Sequence, residues 1–182
     1  MLNTRKHMLA GILLVASQTA AARCEVVFST PQVELGQAGV AQLLESDVPG
    51  FRQLGATRTG VLSVQCDTAR TALRLRFSQL VARGNRLLRW SPSGSAGALQ
   101  LRIAHATADG TPVLIDAAGQ QAVATVDIER DNALVGLDLH SLPGGAKRFT
   151  LEVQMTGLVE EAFRPTGRTD FSVSPTVEVL DP

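Results

Sequence analysis

The residues of this chain that could do chemistry are few and scattered. There are two cysteines, Cys24 and Cys66, and beyond residue 22 the histidines are His105 and His140. Neither histidine has the short spacing to a cysteine or a second histidine that a zinc site requires. The sequence also lacks the nucleophile elbow, the zinc-protease motif, the phosphate loop and the dinucleotide fingerprint. We therefore predict no metal, no cofactor and no enzymatic activity.

The first 22 residues have the layout of a secretory signal peptide. Arg5 and Lys6 give a positive start, residues 9–16 are apolar, and residues 20–22 are small alanines that suit a signal peptidase. The apolar stretch is shorter than the roughly 20 residues of a membrane span, and a buried N-terminal helix is the alternative. We predict a signal peptide over residues 1–22, cleaved after the third alanine or after one of the two before it. Residues 23–182 then form one exported domain.

The charge of the exported part is close to balanced. Loss of Arg5 and Lys6 with the signal leaves 15 basic and 17 acidic residues, without a basic cluster. Proteins that bind nucleic acid present a concentrated positive surface to the phosphates. We therefore expect no nucleic-acid partner.

Export determines how the two cysteines are interpreted. In an oxidising compartment, an even number of cysteines is typical of disulfide bonding. We predict one bond between Cys24 and Cys66, which joins the first two strands and closes a loop of about 42 residues. Two free, buried thiols are the alternative.

Alternation of apolar and polar residues dominates the rest of the chain. A period of two is typical of strands with one buried face, and turn-forming residues separate the runs at 48–50, 83–85, 91–94, 108–110 and 142–145. Seven or eight such strands predict an all-β protein built as a β-sandwich. Residues 38–46 could instead form a short helix or a loop. The alternating apolar residues are Val33 and Leu35; Leu62, Val64 and Cys66; Leu73, Leu75 and Phe77; Leu99, Leu101 and Ile103; Val123, Val126 and Ile128; Phe149, Leu151, Val153 and Met155; and Phe171, Val173, Val177 and Val179.

The order of these segments resembles pilin subunits of the bacterial chaperone–usher pathway, such as those of type 1 and P pili. A cysteine precedes a Val-x-Leu-Gly-Gln stretch at residues 33–37, and a second cysteine closes VLSVQCD. The middle of the chain reads LRIAHATADGTPVLIDAAG, which is similar to the family's strand, Asp-Gly turn and following loop. The tail continues with RFTLEVQMTG, a loop and an alternating terminal strand. The resemblance covers nearly the whole exported part.

The resemblance implies an immunoglobulin-like sandwich that lacks its last strand, which leaves an apolar groove between the first and final strands. The implied partners are a periplasmic pilus chaperone, the outer-membrane usher and a neighbouring pilus subunit, which fills the groove by strand addition. Export through the periplasm to a cell-surface fimbrium follows. Pro175 has no backbone donor, so we expect the ladder to be interrupted there. The implied groove residues are Val33, Leu35, Phe171, Val173, Val177 and Val179.

The short distance between the predicted cleavage site and Cys24 bears on where this subunit would lie in a pilus fibre. A donor strand needs about five residues to pair usefully, and a chain cut after Ala22 carries only Arg23 before Cys24. Such a subunit accepts a strand but donates none, so we expect a tip or initiator subunit. The alternative function is a free-standing secreted β-sandwich that binds a ligand or another protein.

The cleavage site can be measured directly. N-terminal sequencing of the exported protein is expected to begin at Arg23, because alanines occupy the positions that a signal peptidase reads. A mature protein that still begins at Met1 would contradict the prediction of a signal peptide.

Overall fold

A computed structural model describes residues 23–29, 33–38, 43–78, 81–82, 88–89, 97–117, 121–128, 133–162, 169–173 and 175–180. These residues form strands joined by turns, and none of them lies in a helix that could cross a membrane. In chain order the strands are β1 (Cys24–Phe28), β2 (Val33–Ala38), β3 (Leu43–Glu45), β4 (Phe51–Leu54), β5 (Arg58–Arg70), β6 (Leu73–Ser78), β7 (Val81–Ala82), β8 (Leu88–Arg89), β9 (Gly97–Ala108), β10 (Thr111–Pro112), β11 (Leu114–Ala117), β12 (Val126–Ile128), β13 (Ala133–Asp138), β14 (Ala146–Glu160), β15 (Thr169–Val173) and β16 (Thr176–Leu180).

The largest sheet is built around β14, whose 15 residues pair antiparallel with β5 on one side and β9 on the other. Its main order is β1-β5-β14-β9-β8-β7; β10 and β12 also pair with β9, and the β3–β4 hairpin joins the end of β14. The alternation predicted for β14 is confirmed, since Phe149, Leu151, Val153 and Met155 are all at most 1% exposed. The residues between them face the other side of the sheet.

A second sheet has the order β11-β13-β6-β16, and it shares one hydrophobic core with the largest sheet. Phe77 of β6 and Phe149 of β14 are the largest side chains that are fully buried. Strand β13, which the alternation pattern did not single out, adds Val135 and Leu137 to this core opposite Leu75 and Leu73. The fold is therefore all-β, with apolar side chains of two sheets buried together.

The turns agree with the sequence wherever the chain is described. Each of the segments 48–50, 108–110 and 142–145 contains a turn or a bend, and Gly50, Asp109, Gly110 and Gly145 have positive φ angles. Residues 83–85 and 91–94 lie outside the described residues. The helix alternative for residues 38–46 is wrong for Leu43 and Leu44, because both belong to β3 and pair with β4.

The end of the chain is not one continuous strand. Residues 169–173 form β15, which pairs with β2 in a separate two-stranded sheet, whereas residues 176–180 form β16, which pairs with β6. Pro175 lies between them, and a proline cannot donate to a ladder. The apolar face predicted for residues 171–179 is thereby divided between two sheets.

The predicted disulfide is confirmed. Cys24 and Cys66 are bonded, and they lie directly opposite each other where β1 pairs with β5. The bond does not join two consecutive strands, as the sequence suggested, because β2, β3 and β4 lie between β1 and β5 in the chain. It therefore fixes an edge strand to the strand that follows it in the sheet but not in the sequence.

Loss of this disulfide is expected to lower the free energy of unfolding by about 3–4 kcal/mol, because a loop of 42 residues is released in the unfolded state. Urea unfolding of the oxidised protein should be compared with that of the reduced protein, which keeps both side chains. The Cys24→Ala/Cys66→Ala variant is a second comparison. An unchanged urea midpoint after reduction would contradict the prediction.

Gly145 is expected to be irreplaceable at the turn before β14. Its φ is +70°, and an added Cβ would lie 2.5 Å from the carbonyl oxygen of Arg70. Gly145→Ala should therefore cost more than the roughly 1–2 kcal/mol of left-handed strain alone. Gly144→Ala is the matched control, since its Cβ meets nothing within 4 Å. Equal urea midpoints for the two variants would show that the turn tolerates a side chain at residue 145.

Candidate functional site

The structure places the six predicted groove residues in two separate regions. Val33 and Leu35 lie on β2, and Phe171 and Val173 lie on β15, its partner in the two-stranded sheet. The remaining two, Val177 and Val179, lie on β16 and pair with Phe77 and Leu75 of β6. The six residues therefore belong to strands of two different sheets, and their role in binding a strand stays a prediction.

Strands β2 and β15 bond directly to each other. Val33 lies opposite Val173 and Gly36 opposite Phe171, while Leu35 is the residue left unmatched at a shift of register. A strand from another chain cannot lie between β2 and β15 unless this pairing is broken. At this position β2 and β15 are therefore direct neighbours in one sheet.

Strands β1 and β16, unlike β2 and β15, belong to two different sheets. Strand β1 is the last strand of the largest sheet beyond β5, and β16 is the last strand of the second sheet beyond β6. The two lie close together, but within the described part of the chain they are not hydrogen-bonded to each other. We call this region, formed by residues 24–28 and 176–180, the β1–β16 margin.

The side chains of the margin are less buried than the core that they join. Val26 and Phe28 of β1, together with Val177 and Val179 of β16, are half-buried and pack against core residues. Their core neighbours Val64 and Leu75 are at most 1% exposed. The hydrophobic core is therefore only partly covered along this margin.

Charged groups at the margin point outward. Glu25 and Glu178 are exposed and alternate with the half-buried valines. Glu178 lies 3.7 Å from Arg76 across the strand pair, with both side chains about half exposed. Such an exposed ion pair contributes little to stability. The margin therefore offers backbone hydrogen-bonding edges and apolar side chains, which suit strand addition.

Two aspartates accept hydrogen bonds from backbone N–H groups beside turns. The Asp109 carboxylate accepts hydrogen bonds from the backbone N–H groups of Arg148 and Lys147, which lower its pKa. The pKa of Asp138 is lowered chiefly by the backbone N–H of His140, and then by the imidazole. His105 is exposed on β9. Across the described ranges, no three His, Cys, Asp or Glu side chains group as metal ligands.

Sequence reasoning missed part of this site. Val26 and Phe28 alternate with exposed residues in β1, but five residues are a short run for a period-two signal. Their importance comes from the closeness of β1 to β16, which are distant in sequence. Comparisons with known protein families, with curated proteins and with solved structures found no match.

Proposed function

We propose that this protein is a structural subunit of a chaperone–usher fimbria, with an immunoglobulin-like sandwich that lacks its last strand. The observation that carries the proposal is the β1–β16 margin, where two edge strands lie side by side without a ladder between them. The resemblance noted in the sequence supports it. The protein is exported through the periplasm and assembled at the cell surface.

Backbone groups provide the first part of the recognition. An edge strand has one side whose N–H and C=O groups are not used in its own sheet, and it pairs readily with another extended chain. At the margin, five residues of β1 pair with β5, and five residues of β16 pair with β6. An incoming strand of about five residues, a common strand length, matches this length.

Apolar side chains provide the second part. Val26, Phe28, Val177 and Val179 are only half-buried, although they pack on the core. An added strand with alternating apolar residues would cover them, at roughly 25 cal/mol for each Å² of apolar surface buried. The proposed occupant is first a periplasmic chaperone and then a neighbouring subunit, with the usher as the site of exchange.

The β2–β15 pair limits where such a strand can lie. Because β2 already occupies one edge of β15, the proposal places the incoming strand beside β16, where Val177 and Val179 lie. The proposed acceptor surface is therefore shorter than the groove expected from the sequence.

A charge at the margin is expected to prevent capture by a periplasmic pilus chaperone. Val177→Asp should reduce co-purification with a co-expressed chaperone at least about tenfold, because an unpaired carboxylate is costly to bury. Leu134→Asp is the control, since Leu134 is 42% exposed on β13 of the same sheet. Formation of the disulfide, seen on a non-reducing gel, reports folding of both variants.

Two results would count against the proposal. One is equal capture of the Val177→Asp variant and the unmodified protein. The other is an unmodified protein that, purified alone, stays monomeric and resists proteolysis, since an uncovered margin should promote association.

A further inference from the structure

A cavity of about 510 Å³ lies on the outer face of the largest sheet, beside the turn that follows β9. Strands β5, β9 and β14 line it together with that turn. Neither β1 nor β16 contributes a lining residue, so the cavity is separate from the β1–β16 margin. The side chains around it are those of Gln65, Thr107, Asp109, Lys147, Arg148 and Thr150.

Antiparallel pairing brings polar side chains from three strands to this cavity. Thr150 of β14 lies opposite Thr107 of β9, and Arg148 of β14 lies opposite Gln65 of β5. Along β14 these residues alternate with buried ones such as Phe149, so their side chains are on the outer face. The ladder therefore sets two hydroxyls, a carboxamide and a guanidinium around one space.

A break in the ladder between β14 and β5 adds a second cation. Ala146 pairs with Arg70, and the next pair is Arg148 with Gln65. Only Lys147 separates these pairs on β14, whereas a longer stretch of β5 separates them on the other side. Such a bulge re-aims side chains, and here Ala146 is buried while Lys147 and Arg148 are both exposed. Two consecutive cations therefore lie on the same side of the sheet.

The carboxylate of the cavity is already engaged by the backbone. Asp109 has a φ of 47°, and its oxygens accept hydrogen bonds from the N–H groups of Lys147 at 3.2 Å and Arg148 at 2.9 Å. Its own N–H donates to the carbonyl oxygen of Arg148 at 2.7 Å. These three bonds hold the turn against β14. Asp109 therefore forms a fixed wall of the cavity, while both cationic side chains remain beside it.

The other donors of the cavity are unused. An ammonium, a guanidinium and two hydroxyls have no hydrogen bond or ion pair from their side chains among the described residues: Lys147, Arg148, Thr107 and Thr150. The Gln65 carboxamide makes one long contact, 3.4 Å from its nitrogen to the carbonyl oxygen of Cys66. The cavity therefore presents free donors and two positive charges against one negative charge that the turn already uses.

This excess of donors and positive charge selects an anion. A neutral ligand would leave both cations without a partner. A guanidinium offers a fork of donors that matches an oxyanion, an ammonium adds a compact charge, and hydroxyls donate further bonds. A phosphate ester provides three strong acceptor oxygens and a charge of about −1.5 to −2 at pH 7, more than a carboxylate provides. We propose that this cavity binds the phosphate group of a small phosphate ester or of a lipid headgroup.

Solvent limits the strength of such a site. The side chains of Lys147 and Arg148 are exposed, so their attraction for phosphate is screened by salt. We therefore expect a dissociation constant of about 1 mM at low ionic strength, with weaker binding as salt is added. A nucleic acid is disfavoured, because its binding depends on many phosphates contacted together and the cavity suits one phosphate group.

The full exported protein should be titrated with inorganic phosphate and with glycerol 3-phosphate, and the binding followed by NMR. Both probes are expected to shift the backbone amide signals of the turn after β9 and of Lys147 and Arg148. The Lys147→Gln/Arg148→Gln variant should bind at least about tenfold more weakly, because charge-assisted hydrogen bonds are lost. Arg58→Gln/Arg74→Gln removes the same charge from exposed positions outside the cavity, and it should bind normally.

A second variant separates a built site from a general attraction between charges. Thr107→Val/Thr150→Val keeps both cations and replaces each hydroxyl by a methyl group, in a residue type that strands favour. It should bind phosphate at least about threefold more weakly, because hydrogen bonds from the hydroxyls are lost. Its melting temperature should not fall.

Vesicles distinguish the two sources of the phosphate group. Retention on phosphatidylcholine vesicles that contain phosphatidic acid, but not on phosphatidylcholine alone, would assign a lipid headgroup. Shifts with glycerol 3-phosphate and no retention on either vesicle would assign a small soluble ester. In both cases the Lys147→Gln/Arg148→Gln variant should lose the binding.

Four results would overturn the proposal. They are unchanged cavity signals with both phosphate probes, equal loss of binding in the Arg58→Gln/Arg74→Gln control, unweakened binding by either cavity variant, and tighter binding of a DNA duplex than of any phosphate probe. Chaperone capture at the β1–β16 margin does not use these side chains, so failure here leaves the proposed fimbrial role standing.

Discussion

The rest of this structure depends on the pairing of β14 with β5 and β9. These are the three longest strands described, and each places alternate side chains in the core. Strand β1 is attached through β5, and β4 and its hairpin are attached through the end of β14. Because an antiparallel ladder fixes which residues face each other, the pairing of these strands also determines the position of both candidate surfaces.

The sequence was sufficient for the parts of the fold that have a strong period of two. Residues such as Leu73, Leu75 and Phe77 were predicted as a strand and are buried as such. The disulfide followed from an even number of cysteines and predicted export. The division of the last segment into β15 and β16 could be anticipated only in part: Pro175 predicts an interruption, but not that the two halves join different sheets.

Both candidate surfaces were harder to find, because each depends on contacts between distant segments. Val26 and Val177 are about 150 positions apart in the sequence, yet both belong to the β1–β16 margin. In the cavity, Gln65 and Thr107 are ordinary polar residues of two separate strands until the pairing of β14 with both places Arg148 and Thr150 beside them. Sequence periodicity identifies which face a residue occupies, but it carries no information on which strands are neighbours.

The disulfide has a mechanical consequence. An edge strand that is pulled at one end usually detaches one hydrogen bond at a time, which requires little force. Cys24 is the first residue of β1, and its covalent link to Cys66 fastens that end of the strand to the middle of β5. Tension applied to the N-terminal end therefore passes through a sulfur–sulfur bond into the ladder between β5 and β14, and β1 cannot be unzipped from that end.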